Sequence, residues 1–168
     1  MNLGTTIIKS RHSVRSFKET PIDEKILDEA LSCAHLAPTA MNRQPWLFGC
    51  ITGRETMKQI AALTDHGSFI AGAAVCFAIF GERNETFYLE DCSAATENLI
   101  LTLQGYGIGS CWVAGDKKAH AEPVRKLLGV PDQYTLVSLV PAGFPMEVTV
   151  AKKKDIEAVT FRERYTQP

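Results

Sequence analysis

Between Phe87 and Gln104, the residues Leu89, Cys92, Thr96, Leu99 and Leu103 recur at intervals of three or four, and Gly105 then breaks the pattern. The spacing predicts one long helix, with apolar groups on more than one face. Such a helix is too apolar for a free surface, so the remaining elements must be arranged to cover it.

Several other elements are legible. From Ile22 to Ala37 the positions Ile26, Leu27, Ala30, Leu31 and Ala34 fall on one face of a helix, Asp23 can cap its first turn, and Pro38 forbids continuation. Ile22 and Leu27 can close a hydrophobic staple at its start. Trp46 to Thr52 reads as a strand, and Glu55 to Leu63 returns to helical spacing through Met57, Ile60 and Ala61. Ala73 to Phe80 is apolar at consecutive positions, which predicts a strand buried on both faces. A helix over about Glu122 to Leu128 has Pro123 in its first turn and Gly129 as its cap, and Tyr134 to Gly143 reads as a third strand. There is no regular strand-helix alternation opened by a Gly-x-Gly-x-x-Gly turn, which excludes a dinucleotide-binding Rossmann domain.

The chain has 168 residues, enough for one domain over 1–168 with a buried core, and shows no repeat or linker. Its 18 Lys and Arg balance 19 Asp and Glu, so no overall field draws nucleic acid or an anionic membrane. The longest apolar stretch, Ile70 to Phe80, is too short to cross a bilayer, and Met1 to Ser10 lacks the pattern of a signal peptide. The expectation is a soluble cytoplasmic protein. Cys33, Cys50, Cys76, Cys92 and Cys111 are odd in number and contain no Cys-x-x-Cys pair, so they read as small core residues of a reducing compartment, with no metal site.

Three segments carry chemistry. Arg11 to Phe17 holds Arg11, His12, Ser13 and Arg15, and guanidinium groups match phosphate with paired hydrogen bonds; taken alone, it also reads as a solvated loop. Ala37 to Trp46 is stiffened by Pro38 and Pro45 and offers Thr39, Asn42 and Gln44, the donors and acceptors that a heterocycle with polar edges requires. Gly105 to Gly115 is rich in glycine, which allows close backbone approach to a ligand or simply a tight connection.

In this order, Arg-His-Ser-Val-Arg, then Ala-Pro-Thr-x-x-Asn-x-Gln-Pro-Trp, then Asp91-x-x-x-Ala95-x-x-Asn98-Leu99 running into Gly-Ile-Gly-Ser-Cys-Trp, the chain resembles the nitroreductase family of flavoproteins from about Ile7 to Phe161. The resemblance implies an α+β fold with a central, mostly antiparallel sheet flanked by helices, and a homodimer holding tightly bound FMN at its interface. It places Arg11 and Ser13 on the FMN phosphate, His12 beside the ribityl chain, and Arg15 against flavin N1 and O2. Pro38, Thr39, Asn42 and Gln44 would contact the ring of the partner subunit. Trp112, Val113, Ala114 and Gly115 would back the ring, with an amide near Ala114 or Gly115 aimed at N5. The tail Lys152, Lys153 and Lys154 would return to the phosphate, in place of the Lys-x-Arg usual there. Between Phe69 and Phe87 the chain lacks the helical excursion with which larger relatives cover substrate. His35, His66 and His120 match no motif and read as surface or capping residues.

The implied activity is an FMN-dependent oxidoreductase that passes a hydride from NADH or NADPH, through flavin N5, to a small-molecule acceptor such as a nitroaromatic, quinone or flavin. No side chain need act as acid or base, since the cofactor carries the chemistry and Arg15 serves as an electrostatic stabiliser. The alternatives are a flavin store or sensor without turnover, and a specialised relative such as a reductive dehalogenase.

Overall fold

A strand apolar on both faces sits inside a sheet, and in the computed structural model, which describes residues 2–165, Val75–Glu82 (β2) does so, buried from Val75 to Gly81. It pairs antiparallel with Trp46–Ile51 (β1) on one side and Tyr134–Gly143 (β5) on the other. Two short strands, Gly109–Ser110 (β3) and Val113–Ala114 (β4), both pair antiparallel with β5. The sheet order is β1-β2-β5-β3, with β4 also on β5.

Helices cover both faces. Val75, Phe77 and Ile79 of β2 point to the side of α2 (Glu24–His35) and α4 (Tyr88–Gly105), while Cys76, Ala78 and Phe80 point to α3 (Arg54–Leu63) and α5 (Ala121–Leu127). This is the period of two of a pleated strand, read out as two separate cores. In β5 the alternation is interrupted, because the pairing slips between Ile79 and Phe80 and leaves Val137 as an extra residue. The bulge turns Val137 and Ser138 to the same side: Val137 joins the α4 core and the Ser138 hydroxyl meets Thr96 of α4 at 2.8 Å. A buried hydroxyl pair of this kind stays satisfied only if helix and bulge keep register.

The expected elements are present with shifted ends. Asp23 caps α2 through Lys25 N–H at 2.9 Å, Gly129 follows α5 at φ 66°, and β5 spans Tyr134–Gly143 as read. The Ala73–Phe80 strand begins later, at Val75, because Ser68–Gly72 is a 3-10 turn that delivers the chain to the sheet edge. The sequence reading missed α1, Leu3–Ser10, whose signal is local: Asn2 at the cap accepts from Gly4 N–H at 3.0 Å and Thr5 N–H at 3.4 Å. Two readings need correction. Cys76, Cys92 and Cys111 are buried, but Cys50, on the edge strand β1, is exposed and Cys33 is half-buried. His120 is neither at the surface nor a side-chain cap; it is buried in the turn before α5.

Polar ties fix the edge of the α5 layer. Arg125, whose side chain is 6% exposed, pairs with Glu122 at 2.7 Å and Asp132 at 2.5 Å, donates to the Val130 carbonyl, and shares Glu122 with Arg83 at the end of β2. The Arg125 hydrogen bond holds the Glu122 carboxyl down from 4.5 to about 2. A carboxyl lowered on folding stabilises above its unfolded value and loses that contribution as pH falls through the folded one. Between about pH 4.5 and pH 2, thermal melts of the wild type should therefore fall more steeply than those of Glu122→Gln; parallel curves would mean that the pair adds nothing.

Candidate functional site

The Arg11–Phe17 segment is not a free loop. Ser13 bridges Ser110 of β3 in parallel fashion, Phe17 bridges Pro145, and Val14 N–H donates to the Ser110 carbonyl at 2.9 Å. Val14 and Phe17 are buried in a small core with Ala73, while Ser13 and Arg15 are exposed. Val14 packs so closely that a Cβ on Gly109 would lie 2.6 Å from its Cγ2. Gly109 is therefore needed for contact, its side chain replaced by that of Val14.

This edge brings the first and third motifs together. Arg15, Cys111, Trp112, Val113 and Ala114 line a pocket of about 410 Å³, with Phe69, Asp65, His66, Lys118 and His120 on its other walls. The Arg15 guanidinium lies 5.8 Å from the Phe69 ring centre. Among the described residues neither Arg11 nor Arg15 is ion-paired, although both act on the Cys111 thiol. Burial pushes that thiol up, against the lowering influence of Arg15, the Ser13 hydroxyl and Arg11, so Cys111 is held as a neutral wall residue.

The backbone of β4 narrows the choice of amide. Gly115 N–H is consumed by the Val137 carbonyl at 2.9 Å, so it does not face the pocket, contrary to one of the two options read from sequence. With that bond in place, Ala114 and Ser138 form a non-hydrogen-bonded pair of the ladder. The Ala114 N–H and C=O consequently point away from β5. His120 Nε2 lies 3.0 Å from the Ala114 carbonyl oxygen.

The middle motif stands apart from this pocket in the same chain. None of Pro38, Thr39, Asn42 and Gln44 lines it, and His12, half-buried at the end of α1, does not either. The loop is built with strain: Met41, Asn42 and Gln44 have φ of 50°, 56° and 52°, each costing on the order of 1 kcal/mol or more for a side-chain-bearing residue. Its fold is held by Thr39 Oγ accepting from Gln44 N–H at 2.9 Å and by Gln44 Nε2 donating to Asn42 Oδ1 at 3.2 Å. Asp91, in the first turn of α4, accepts Ala40 N–H at 3.1 Å and 3.2 Å, anchoring the loop from below. Lys152, Lys153 and Lys154 lie in an exposed tail, and none of them lines the pocket that holds Arg15. Among the described residues no cluster of His, Cys, Asp and Glu suits a metal, and no helix is long and apolar enough to cross a membrane. Sequence reading overlooked Asp65, His66, Phe69, Lys118 and His120, which reach the pocket only through the turns after α3 and β4.

The fold and this edge define a class of antiparallel α+β proteins. Residues 8–67 and 61–144 match the Nitroreductase family, and the chain belongs to it. A protein of Archaeoglobus fulgidus, provisionally named NADH dehydrogenase/NAD(P)H nitroreductase, is 31% identical over 147 residues, 84% of each chain. The solved structure of a similarly named protein from Parabacteroides distasonis superimposes with a TM-score of 0.92 at 26% identity, covering 98% of this chain and 100% of the other. A provisionally named nitroreductase from Desulfovibrio desulfuricans, solved in complex with FMN, shares the fold at 21% identity with a TM-score of 0.88, covering 99% of each chain.

If Gly109 is small because Val14 occupies its place, Gly109→Ala should destabilise by about 1–3 kcal/mol in urea titration. Val14→Ala in the same chain should recover part of that loss, and strictly additive effects would separate the two residues.

Proposed function

We propose that the protein is an FMN-dependent oxidoreductase that works as a homodimer, with NADH or NADPH as donor and a nitroaromatic, quinone or flavin as acceptor. The observation that carries this reading is that Arg11, Ser13 and Arg15 all act on the Cys111 thiol in the wall of a pocket that Arg15 and Ala114 line, with Arg11 and Ser13 outside the lining and the Ala114 N–H directed outward. These groups fit a flavin mononucleotide: cations and a hydroxyl for phosphate, a charge for the ring edge, and a main-chain donor beside flat walls. The name of the Archaeoglobus relative and the FMN bound to the Desulfovibrio protein support the same assignment.

Arg11 and Ser13 would hold the phosphate, with His12 along the ribityl chain. Arg15 would lie at the pyrimidine edge of the ring, where a fixed cation stabilises negative charge that develops on reduction. Trp112, Val113 and Ala114 form the wall behind the ring, and Gly115 supports it by its bond to β5. Bound FMN supplies the hydride-accepting centre that amino-acid side chains lack. The protein needs no acid or base of its own for that step; it binds, orients and sets charge.

Two observations support the dimer. The strained Pro38–Gln44 loop presents Thr39, Asn42 and Gln44 outside its own pocket, as a group serving a second site would. A shallow apolar groove lined by Ile7, Ile8, Leu101 and Thr102 runs between α1 and α4, and the exposed tail carries Val148, Val150, Ile156 and Phe161. So much exposed apolar surface is typical of an interface. The tail lysines, remote from Arg11 in one chain, would reach a phosphate only across such an interface.

Mass analysis of released cofactor should find FMN and not FAD, and light scattering should find a dimer; a colourless protein unable to take up FMN would overturn the reading. Arg15→Gln should keep FMN binding through Arg11 and Ser13 but lower the two-electron midpoint potential by about 30 mV, which corresponds to ~1.4 kcal/mol. An unchanged potential would remove Arg15 from the mechanism.

A further inference from the structure

His120 is buried, yet only one of its ring nitrogens is satisfied. Nε2 lies 3.0 Å from the Ala114 oxygen, and Nδ1 is buried with no hydrogen-bond partner. A carbonyl only accepts, so the proton sits on Nε2. The desolvation cost of the orphaned Nδ1 offsets the net gain from the single bond made, so the imidazole is a poor choice as a stabilising core residue. An apolar side chain of similar size would fill the space without an orphan. Nor does His120 cap α5, whose N-terminus receives no side-chain bond from it.

What the imidazole does accomplish is geometric. Ala114 is exposed in the pocket wall, with its N–H and C=O directed away from β5, and His120 fixes the carbonyl half of that pair. Gly115 N–H, in the same peptide group as the Ala114 carbonyl, donates to Val137, so that peptide plane is held at both of its edges and Ala114 N–H follows directly before it. The turn that brings His120 back is itself braced. Lys118 N–H donates to the Gly115 carbonyl at 3.1 Å, and the Tyr88 hydroxyl donates to Asp116 Oδ1 at 2.7 Å.

We propose that His120 is a positioning residue for the redox edge of the site: its Nε2–H holds the Ala114 carbonyl so that the adjacent Ala114 N–H keeps a fixed aim at the bound ring. This rests on the flavin reading given above. His120 shares the pocket wall with Arg15 but is not among the groups proposed to hold the phosphate, so losing it should disturb alignment and leave affinity largely intact. Misalignment of a reacting group by a fraction of an ångström costs rate steeply.

The test compares FMN-loaded wild type, His120→Leu and His120→Gln by thermal melting, FMN titration, the visible absorption band of bound FMN, and the rate of its anaerobic reduction by NADPH. The leucine variant should melt no lower than wild type and bind FMN within about threefold, while its absorption band is displaced and its reduction slows about tenfold. The glutamine variant, which retains a donor for Ala114, should recover both band and rate. A leucine variant with wild-type band and rate, or a glutamine variant as impaired as leucine, overturns the proposal. A leucine variant that melts well below wild type with an unchanged band assigns His120 to packing and also overturns it; should it not fold at all, a displaced band in His120→Gln does so alone. A wild type that takes up no FMN overturns instead the flavin reading on which the proposal stands.

Discussion

Helix α4 is the interaction on which the rest of the structure depends. Its apolar side chains Cys92, Ala95, Leu99 and Leu103 are fully buried against the sheet and α2, and each burial of a leucine contributes roughly 1.5–3 kcal/mol. Spaced along the same helix are polar ties to nearly every other segment. Tyr88 reaches the turn after β4, Asp91 the Pro38–Gln44 loop, Thr96 the bulge of β5, Asn98 the carbonyl of Cys33 in α2, and Gln104 the hydroxyl of Ser10 in α1. Hydrophobic burial fixes where α4 lies; the polar ties fix what lies beside it.

The same helix steadies both the Pro38–Gln44 loop and the turn after β4. The loop carrying Thr39, Asn42 and Gln44 holds three left-handed residues and would relax without an external anchor. Asp91 supplies that anchor from the N-terminal turn of α4. At the second, burial and the Asp116 bond push the Tyr88 hydroxyl up to about 12, so it remains a proton donor to the turn that carries Lys118 and His120. Preorganisation of this sort is what the flavin site proposed above requires.

Much of the fold was legible because it obeys local rules. The period of α2, its Asp23 cap, the stop at Gly129 and the unbroken apolar run of β2 each follow from residues within one element. Helix α1 was missed because its clearest signal is the Asn2 cap, and its Leu3 and Ile8 stay largely exposed. The strands β3 and β4 are two residues each, too short to leave a period, and exist because β5 offers them hydrogen bonds. The Cys50 and His120 misreadings share a cause: residue type predicts average burial, whereas the side of an element that a residue occupies is settled by its neighbours.

The sequence by itself determined the ordered motifs, the family they mark and the two-sided burial of the central elements, since these depend on residue type and spacing along the chain. Only the tertiary structure decided that Arg11–Arg15 becomes an edge of the sheet beside β3, that the Pro38–Gln44 loop faces away from its own pocket, and that Gly115 N–H is spent on Val137 while Ala114 N–H stays outward. The sheet edge and the pocket wall hang on the register of β5 and its bulge at Val137, and the loop on Asp91 of α4, contacts that couple residues far apart in the chain. A one-residue slip would turn the pocket wall over, and no local pattern in the sequence records which register wins.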